Sequence, residues 1–287
     1  MKYLKYYTIL ITIVSLFNAC QSDDSNSEKD FNTDPVENLN KVIETQNSEG
    51  YNLAFYSSEK DIQTGSNILI ATITKNNKVV IATDLQLSIT MYMSSHGHNM
   101  SHGAPVTQLT TTKHKGFYEG FIFPTMASNG TSDYWVLRLT ATVDKQTVVF
   151  ESNIEVKQSK DKTITSFNYQ DLNYTVALIS PKTPKIGLNS SSALLFTTED
   201  HETFKIVDSH TIHIDPRMPS MKNHGSPNNI NLTQAVSQGF YTGQLSLTMS
   251  GYWKINLMIE NSHGTIIKGN PITEEQESSD IYFELEF

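Results

Sequence analysis

One segment of this chain occurs twice, and the spacing between the two copies limits the fold more than any other feature. Around Met93 the sequence reads MSSHGHNMSHGAP, and around Met218 it reads MPSMKNHGSP. A second block follows each copy: GFYEGFIFPTM and then Tyr134-Trp135, GFYTGQLSLTM and then Tyr252-Trp253. His102 and His224 are 122 residues apart, while Gly116 and Gly239, like Met126 and Met249, are 123 apart. A period that steady means two copies of one module of roughly 110 residues, arranged in tandem.

Within each copy the apolar residues alternate. Leu85, Leu87, Ile89, Met91 and Met93 form one such series; Ile68, Ile70 and Thr72, Ile212 and Ile214, and Leu245, Leu247 and Met249 form others. A period of two belongs to strands, and no segment keeps a 3.6-residue apolar period over three turns. Short strands cut by Asn, Gly, Ser and Asp clusters predict an all-β chain of two Ig-like β-sandwiches. Copy one opens at Tyr51-Asn52-Leu53-Ala54-Phe55 and copy two at Tyr174-Thr175-Val176-Ala177-Leu178. Gly65-x-Asn67 corresponds to Gly187-x-Asn189, and KQSKDK at 157–162 reads as a polar linker.

The N-terminus reads as an export signal. Lys2 and Lys5 precede the apolar stretch Tyr7 to Phe17, which is too short to span a bilayer, and Ala19 precedes Cys20. Phe17-Asn18-Ala19-Cys20 resembles a bacterial lipobox, which implies cleavage before Cys20 and acylation of its thiol. The polar, acidic stretch that follows is too poor in apolar residues to fold and reads as a tether. The expected organisation is therefore a signal peptide at 1–19, a flexible tether at 20–46, a first sandwich at 47–158 and a second at 159–287. The expected location is the outer membrane, on its periplasmic or cell-surface face.

Composition removes several functional classes. Cys20 is the only cysteine. With that thiol acylated, the folded part has no disulfide, no thiol nucleophile and no thiolate metal ligand. Without Lys2 and Lys5, 19 of the 21 basic residues remain against 30 acidic ones, a balance of −11. Such a chain, lacking a basic stripe, is a poor partner for nucleic acid. It holds no Gly-rich phosphate loop, no G-x-S-x-G and no H-E-x-x-H, so it is not expected to be an enzyme.

The repeated motifs resemble the YtkA-like family, relatives of which include FixH-type proteins. Copy two carries the pattern as Met218-Pro-Ser-Met221, His224-Gly-Ser-Pro227, Gly239-Phe-Tyr-Thr-Gly243 and Met249-Ser-Gly-Tyr-Trp253. Copy one departs from it by three extra residues around Gly97 to Met100 and by a five-residue insertion before Tyr134. The resemblance implies an extracytoplasmic Ig-like sandwich that handles copper.

The loops themselves point the same way. In copy one, His96, His98, Met100 and His102 are all even-numbered, so an extended backbone would put them on one side, with Met93 at the strand end completing the set. Met218, Met221 and His224 form the smaller set in copy two. Thioether sulfur is soft and favours Cu(I), and imidazole suits copper and zinc alike. The expected function is capture of copper, as Cu(I), and its hand-over to an exporter, oxidase or other envelope protein. A second reading treats the loops as turn-forming scaffold of an Ig-like adhesion or assembly subunit without metal. Met91, Met126, Met249, Trp135 and Trp253 read as core.

Overall fold

The computed structural model describes residues 35–95 and 98–287. The expected signal peptide, Cys20 and the tether up to residue 34 lie outside the described residues, as do His96 and Gly97. Among the described residues there is no α-helix, only strands and one turn of 3-10 helix at Pro219–Met221.

Each module is a sandwich. In the first, one sheet runs in the order Asn40–Gln46, Tyr51–Ser57, Asn67–Lys75, Phe117–Ile122, with short strands at its edges. The facing sheet runs Gln146–Ile154, Tyr134–Val143, Ala82–Ser95, His98–Gly103. The second module repeats this order: Ile164–Tyr169, Leu172–Ser180, Gly187–Thr198, Tyr241–Leu247 against Thr211–Met218, Tyr252–Glu260, Tyr282–Glu286. Here Ile230–Gln234 pairs with strands of both layers and joins them into one continuous sheet. Each layer buries alternate residues, as the period-two pattern requires. Leu87, Ile89 and Met91 meet Leu53, Phe55 and Leu69 in the first core; Ile212, Ile214 and Leu257 meet Val176 and Leu195 in the second.

Three fixtures recur at matching positions and explain why the motif residues repeat. The first is the buried tyrosine of Gly-x-Tyr-x-Gly. Tyr118 Oη accepts from the Ala82 N–H (2.7 Å) and donates to the Ala82 carbonyl (2.8 Å), tying one sheet to the other. Tyr241 Oη does the same work by donating to the Val207 carbonyl (2.7 Å) and accepting from the His210 N–H (3.3 Å). The second is the buried asparagine. The Asn67 amide closes a loop onto the backbone of Gln63 and Gly65, and the Asn189 amide does so onto Lys185 and Gly187. Gly65 and Gly187 sit at φ +94° and +102°, a region glycine enters without a Cβ clash. The third is the indole: Trp135 and Trp253 are fully buried and donate to the carbonyls of Met126 (3.0 Å) and Met249 (2.9 Å).

The framework of the sandwiches differs from the sequence expectations in three places and carries a proline inside a strand. Residues 40–46, assigned to the tether, form an edge strand, because Ile43 alone is fully buried there and its polar neighbours face solvent. In Asn67–Lys75 the core takes Leu69, Ala71 and Ile73, not Ile68 and Ile70. The strand Thr211–Met218 continues through Pro216, which has no N–H to give to a ladder. The Pro216 carbonyl faces Ser226 (3.2 Å), so the missing N–H faces the same short edge and leaves the ladder to Ile255 intact. The 157–162 stretch is held on both sides rather than free. The Lys157 carbonyl accepts from the Thr64 N–H (3.0 Å), and the Lys162 carbonyl accepts from the Glu284 N–H (2.8 Å).

The two sandwiches also share a small apolar cluster. Phe123, Ala177, Leu194 and Phe196 are buried together, with the Phe123 and Phe196 ring centroids 5.1 Å apart. The Ser66 hydroxyl donates to the Leu178 carbonyl (3.0 Å) beside it.

Tyr118→Phe should cost about 1–3 kcal/mol in denaturant unfolding, because it strands two buried backbone groups of Ala82. Burial pushes the Tyr241 phenol from its usual 10.0 up to about 12. Its folded value lies above its unfolded one, so its contribution is fully present below pH 10 and is lost as pH rises through about 12. Phenolate absorbance should show a tyrosine titrating near pH 12 that Tyr241→Phe removes, leaving the still later phenol of Tyr252, which burial and the Glu284 carboxylate also push up.

Candidate functional site

The first histidine-rich segment, expected as a loop, is most of a β-hairpin. Ala82–Ser95 pairs antiparallel with His98–Gly103: Met91 opposite His102, Met93 opposite Met100, Ser95 opposite His98. Residues directly opposite in an antiparallel pair share a face, with Cβ atoms about 5 Å apart. Met93, Met100, His98 and His102 therefore stand on one face, and Met91 belongs to the same row. His96 lies outside the described residues. Toward the sandwich this face becomes the core, since Met91 is fully buried and stands opposite Trp135 on its other side.

The face opens progressively. Met93 and His102 are half-buried, while His98 is exposed and Met100 is 50% exposed. Strand geometry also divides the set. Residues two apart on a strand are about 7 Å apart, and residues four apart about 14 Å. One ion with bonds near 2 Å therefore cannot be shared by His98 and His102, but the adjacent rungs Met91–His102 and Met93–Met100 can converge on it.

His102 is held in a specific form. Its Nδ1 lies 2.9 Å from the Gly103 carbonyl, which only accepts, so Nδ1 carries the proton and donates. In the neutral ring Nε2 is then left with its lone pair, the form a metal needs. The ring stands edge-on to Trp135, with centroids 5.4 Å apart. From Ser88 to Gly103 the chain contains no acidic residue, lysine or arginine. The face is therefore neutral and soft.

The second module keeps one rung of this ladder. Met218 pairs with His224, and Arg217 with Gly225. Met218, expected in the loop, ends the strand and is buried in the core at 3% exposure. Continuing the Arg217–Lys254 register places it opposite Trp253, so it corresponds to Met91 rather than to Met93. His102 follows Met91 by eleven residues and His224 follows Met218 by six, so copy one is longer by five residues, not three. The missing length is the Met93–Met100 rung. In its place lies the turn Pro219–Met221, with Met221 53% exposed and His224 exposed. The Arg217 guanidinium, paired with Asp215 (2.7 and 2.8 Å), packs against Gly225 beside this rung.

Other candidates are placed elsewhere. Met126, expected in the core, is 46% exposed at the mouth of the first sandwich, while Met249 packs on the second core. The insertion after Met126 is the reason: Asn129 caps its own loop through the N–H groups of Thr131, Ser132 and Asp133. His213 lies five residues before Met218, roughly 17 Å along an extended strand. Both its ring nitrogens are taken, Nε2 by Glu260 (2.7 Å) and Nδ1 by Asn231 (2.8 Å). Clefts of about 560 and 680 Å³ border Phe204 on two sides, and neither contains a histidine or methionine of the repeated motif. Among the described residues no three His, Cys, Asp or Glu side chains converge as a metal-binding group. The candidate face depends instead on thioethers.

Sequence reasoning missed Met91 as part of the row. Its alternation with Leu87 and Ile89 marks it as core, which it is, but only the pairing sets it opposite His102.

Residues 169–258 match the family model described as YtkA-like, so the second module carries a YtkA-like region along most of its length. No curated protein matches the chain. Among solved structures, a DUF4785 family protein from Legionella pneumophila is similar at 9% identity with a TM-score of 0.26, over 76% of this chain and 54% of that one. The chain thus spans about half the length of that protein.

The two motif glycines are compact for different reasons, and their variants should separate. A Cβ on Gly103 would lie 2.8 Å from the Glu202 carbonyl oxygen, whereas one on Gly225 would meet only the far end of the Arg217 side chain at 3.2 Å. Gly103→Ala should cost about 1–3 kcal/mol and Gly225→Ala well under half of that in thermal unfolding. Equal costs would mean that the Glu202 backbone yields.

Proposed function

We propose that this chain is an envelope lipoprotein, anchored through acylated Cys20, whose first module captures Cu(I) on the hairpin face and passes it on. The observation that carries the reading is the pair of adjacent rungs, Met91–His102 and Met93–Met100, on one neutral face beside Trp135. Two or three thioethers and one imidazole are a soft, uncharged donor set. They suit a monovalent soft cation better than Zn(II), which gains nothing from thioether sulfur and prefers anionic partners. His98 and Met100, exposed further out, supply ligands for stepwise exchange with an acceptor, such as an exporter or oxidase of the envelope.

The second module has a lesser part in metal binding. It retains only Met218 opposite His224, with Met221 outside, and lacks the second methionine rung. The mechanism is binding and hand-over without catalysis, at the outer membrane.

Cu(I) titration of the whole chain against a competing chelator tests this. One tight equivalent is expected, weakened at least about tenfold by His102→Ala, as loss of a principal ligand requires. The double variant Met93→Leu with Met100→Leu should weaken Cu(I) by a similar factor and leave Zn(II) affinity within about twofold. Equal losses for both metals would defeat the soft-donor reading. Binding no tighter than background would leave the hairpin as scaffold and favour an adhesion or assembly role.

A further inference from the structure

The hairpin strand that carries His102 is not held by its own sandwich alone. Its outer edge, on the side away from Ala82–Ser95, meets a turn of the second module. The Gly103 N–H donates to the His201 carbonyl at 2.7 Å, and the Glu202 backbone packs so closely on the Gly103 Cα that no Cβ fits. Both backbone groups of Gly103 are therefore engaged: its N–H by the second module, and its carbonyl by the His102 ring at 2.9 Å. Any shift of the Gly103 peptide moves the acceptor that sets the His102 tautomer and orientation.

The turn that presents His201 is built around one carboxylate. Asp200 Oδ1 accepts from the Thr203 N–H (2.7 Å), the Glu202 N–H (2.9 Å) and the Thr198 hydroxyl (3.0 Å). Those bonds to its charged form hold the Asp200 carboxyl well below the usual carboxylate range. Within the turn His201 sits at φ +60°, a conformation that a non-glycine residue keeps only when its surroundings fix it. Its side chain is anchored too, with Nε2 3.4 Å from the Asn173 amide.

We propose that Asp200 of the second module is a positioning residue for the metal-binding face of the first, acting through the His201 carbonyl and Gly103 on the His102 imidazole. The two modules then form one functional unit, with the YtkA-like second module serving as the brace for its neighbour's site. This rests on the reading of the hairpin face as a Cu(I) site. It adds that the affinity of that site is set partly by a residue that touches no metal.

Asp200→Ala and Asp200→Asn in the full chain test the proposal, with circular dichroism as the folding control. Asp200→Ala should weaken Cu(I) binding about tenfold at unchanged stoichiometry, the usual scale for losing a group that orients a metal ligand. Asp200→Asn keeps the Oδ1 acceptor and should restore most of the affinity. Hydrogen exchange at the Gly103 amide, and the nitrogen shifts of the His102 ring, should change in Asp200→Ala and not in Asp200→Asn. Gly103→Ala presses on the same contact from the other side and should reproduce the loss. Affinity unchanged within twofold in a folded Asp200→Ala protein overturns the proposal, and so does a Gly103 amide that exchanges as slowly as before. If the unaltered chain takes up no Cu(I), the copper reading falls by that result alone. The exchange and ring-nitrogen measurements still decide whether Asp200 sets His102.

Discussion

Strand register is the constraint from which both the core and the candidate site follow. Trp135 lies opposite Met91, and Met91 lies opposite His102, so three adjacent strands share one row that runs from the closed core to the open hairpin. Side chains in strands alternate with a period of two, and a slip of one residue would turn the whole row outward. The tyrosine and asparagine fixtures guard against such a slip. Tyr118 spans from one sheet to the backbone of Ala82 in the other, at the start of the strand that carries Met91 and Met93. The same bonds that close the sandwich therefore set where the methionines face.

The second module shows which parts of the motif are structural. Its buried tyrosine, asparagine and tryptophan make the same kinds of bond as those in the first module, and its Met–His rung is in the same place. The differences lie beyond that rung. The first module extends the hairpin by a further methionine pair, whereas the second turns sharply through Pro219–Met221. Here the second module contributes backbone, at His201 and Glu202, to the base of the first module's hairpin.

Much of this was legible in the sequence. The repeat, the alternation and the turn residues specify two sandwiches, and the even spacing of His98, Met100 and His102 specifies one face. Two further steps needed the pairing itself. Pairing of Ser95 with His98 fixes partners whose numbers sum to a constant, which sets Met93 against Met100 and Met91 against His102. Reading the segment as an open loop hid that, and it aligned Met218 with the wrong methionine. The exposed Met126 was hidden for a different reason: its flanks are those of a core residue, and the five-residue insertion that lifts it outward has no counterpart in copy two. The Gly103 contact was not legible at all. A glycine in His-Gly-x-Pro looks like a turn residue in both copies, and only packing reveals that one accommodates a backbone and the other a guanidinium.

The proposed chemistry requires a balance between holding an ion and releasing it, and the exposure gradient along the hairpin supplies a physical basis for that balance. Ligands from a closed core bind in a preorganised way but exchange slowly, because an incoming donor must displace packed neighbours. Fully exposed ligands exchange freely but pay the entropy of ordering with every ion they bind. The row Met91, Met93, Met100 passes from fully buried through half-buried to 50% exposed in two rungs. An incoming donor can therefore replace the outer thioether first while His102 and the inner sulfur still hold the ion. Each step exchanges one soft neutral ligand for another, so no charge is stranded at the sandwich mouth. The proposed bracing at Gly103 would serve the same end, since it would keep the inner ligands in place while the outer ones change.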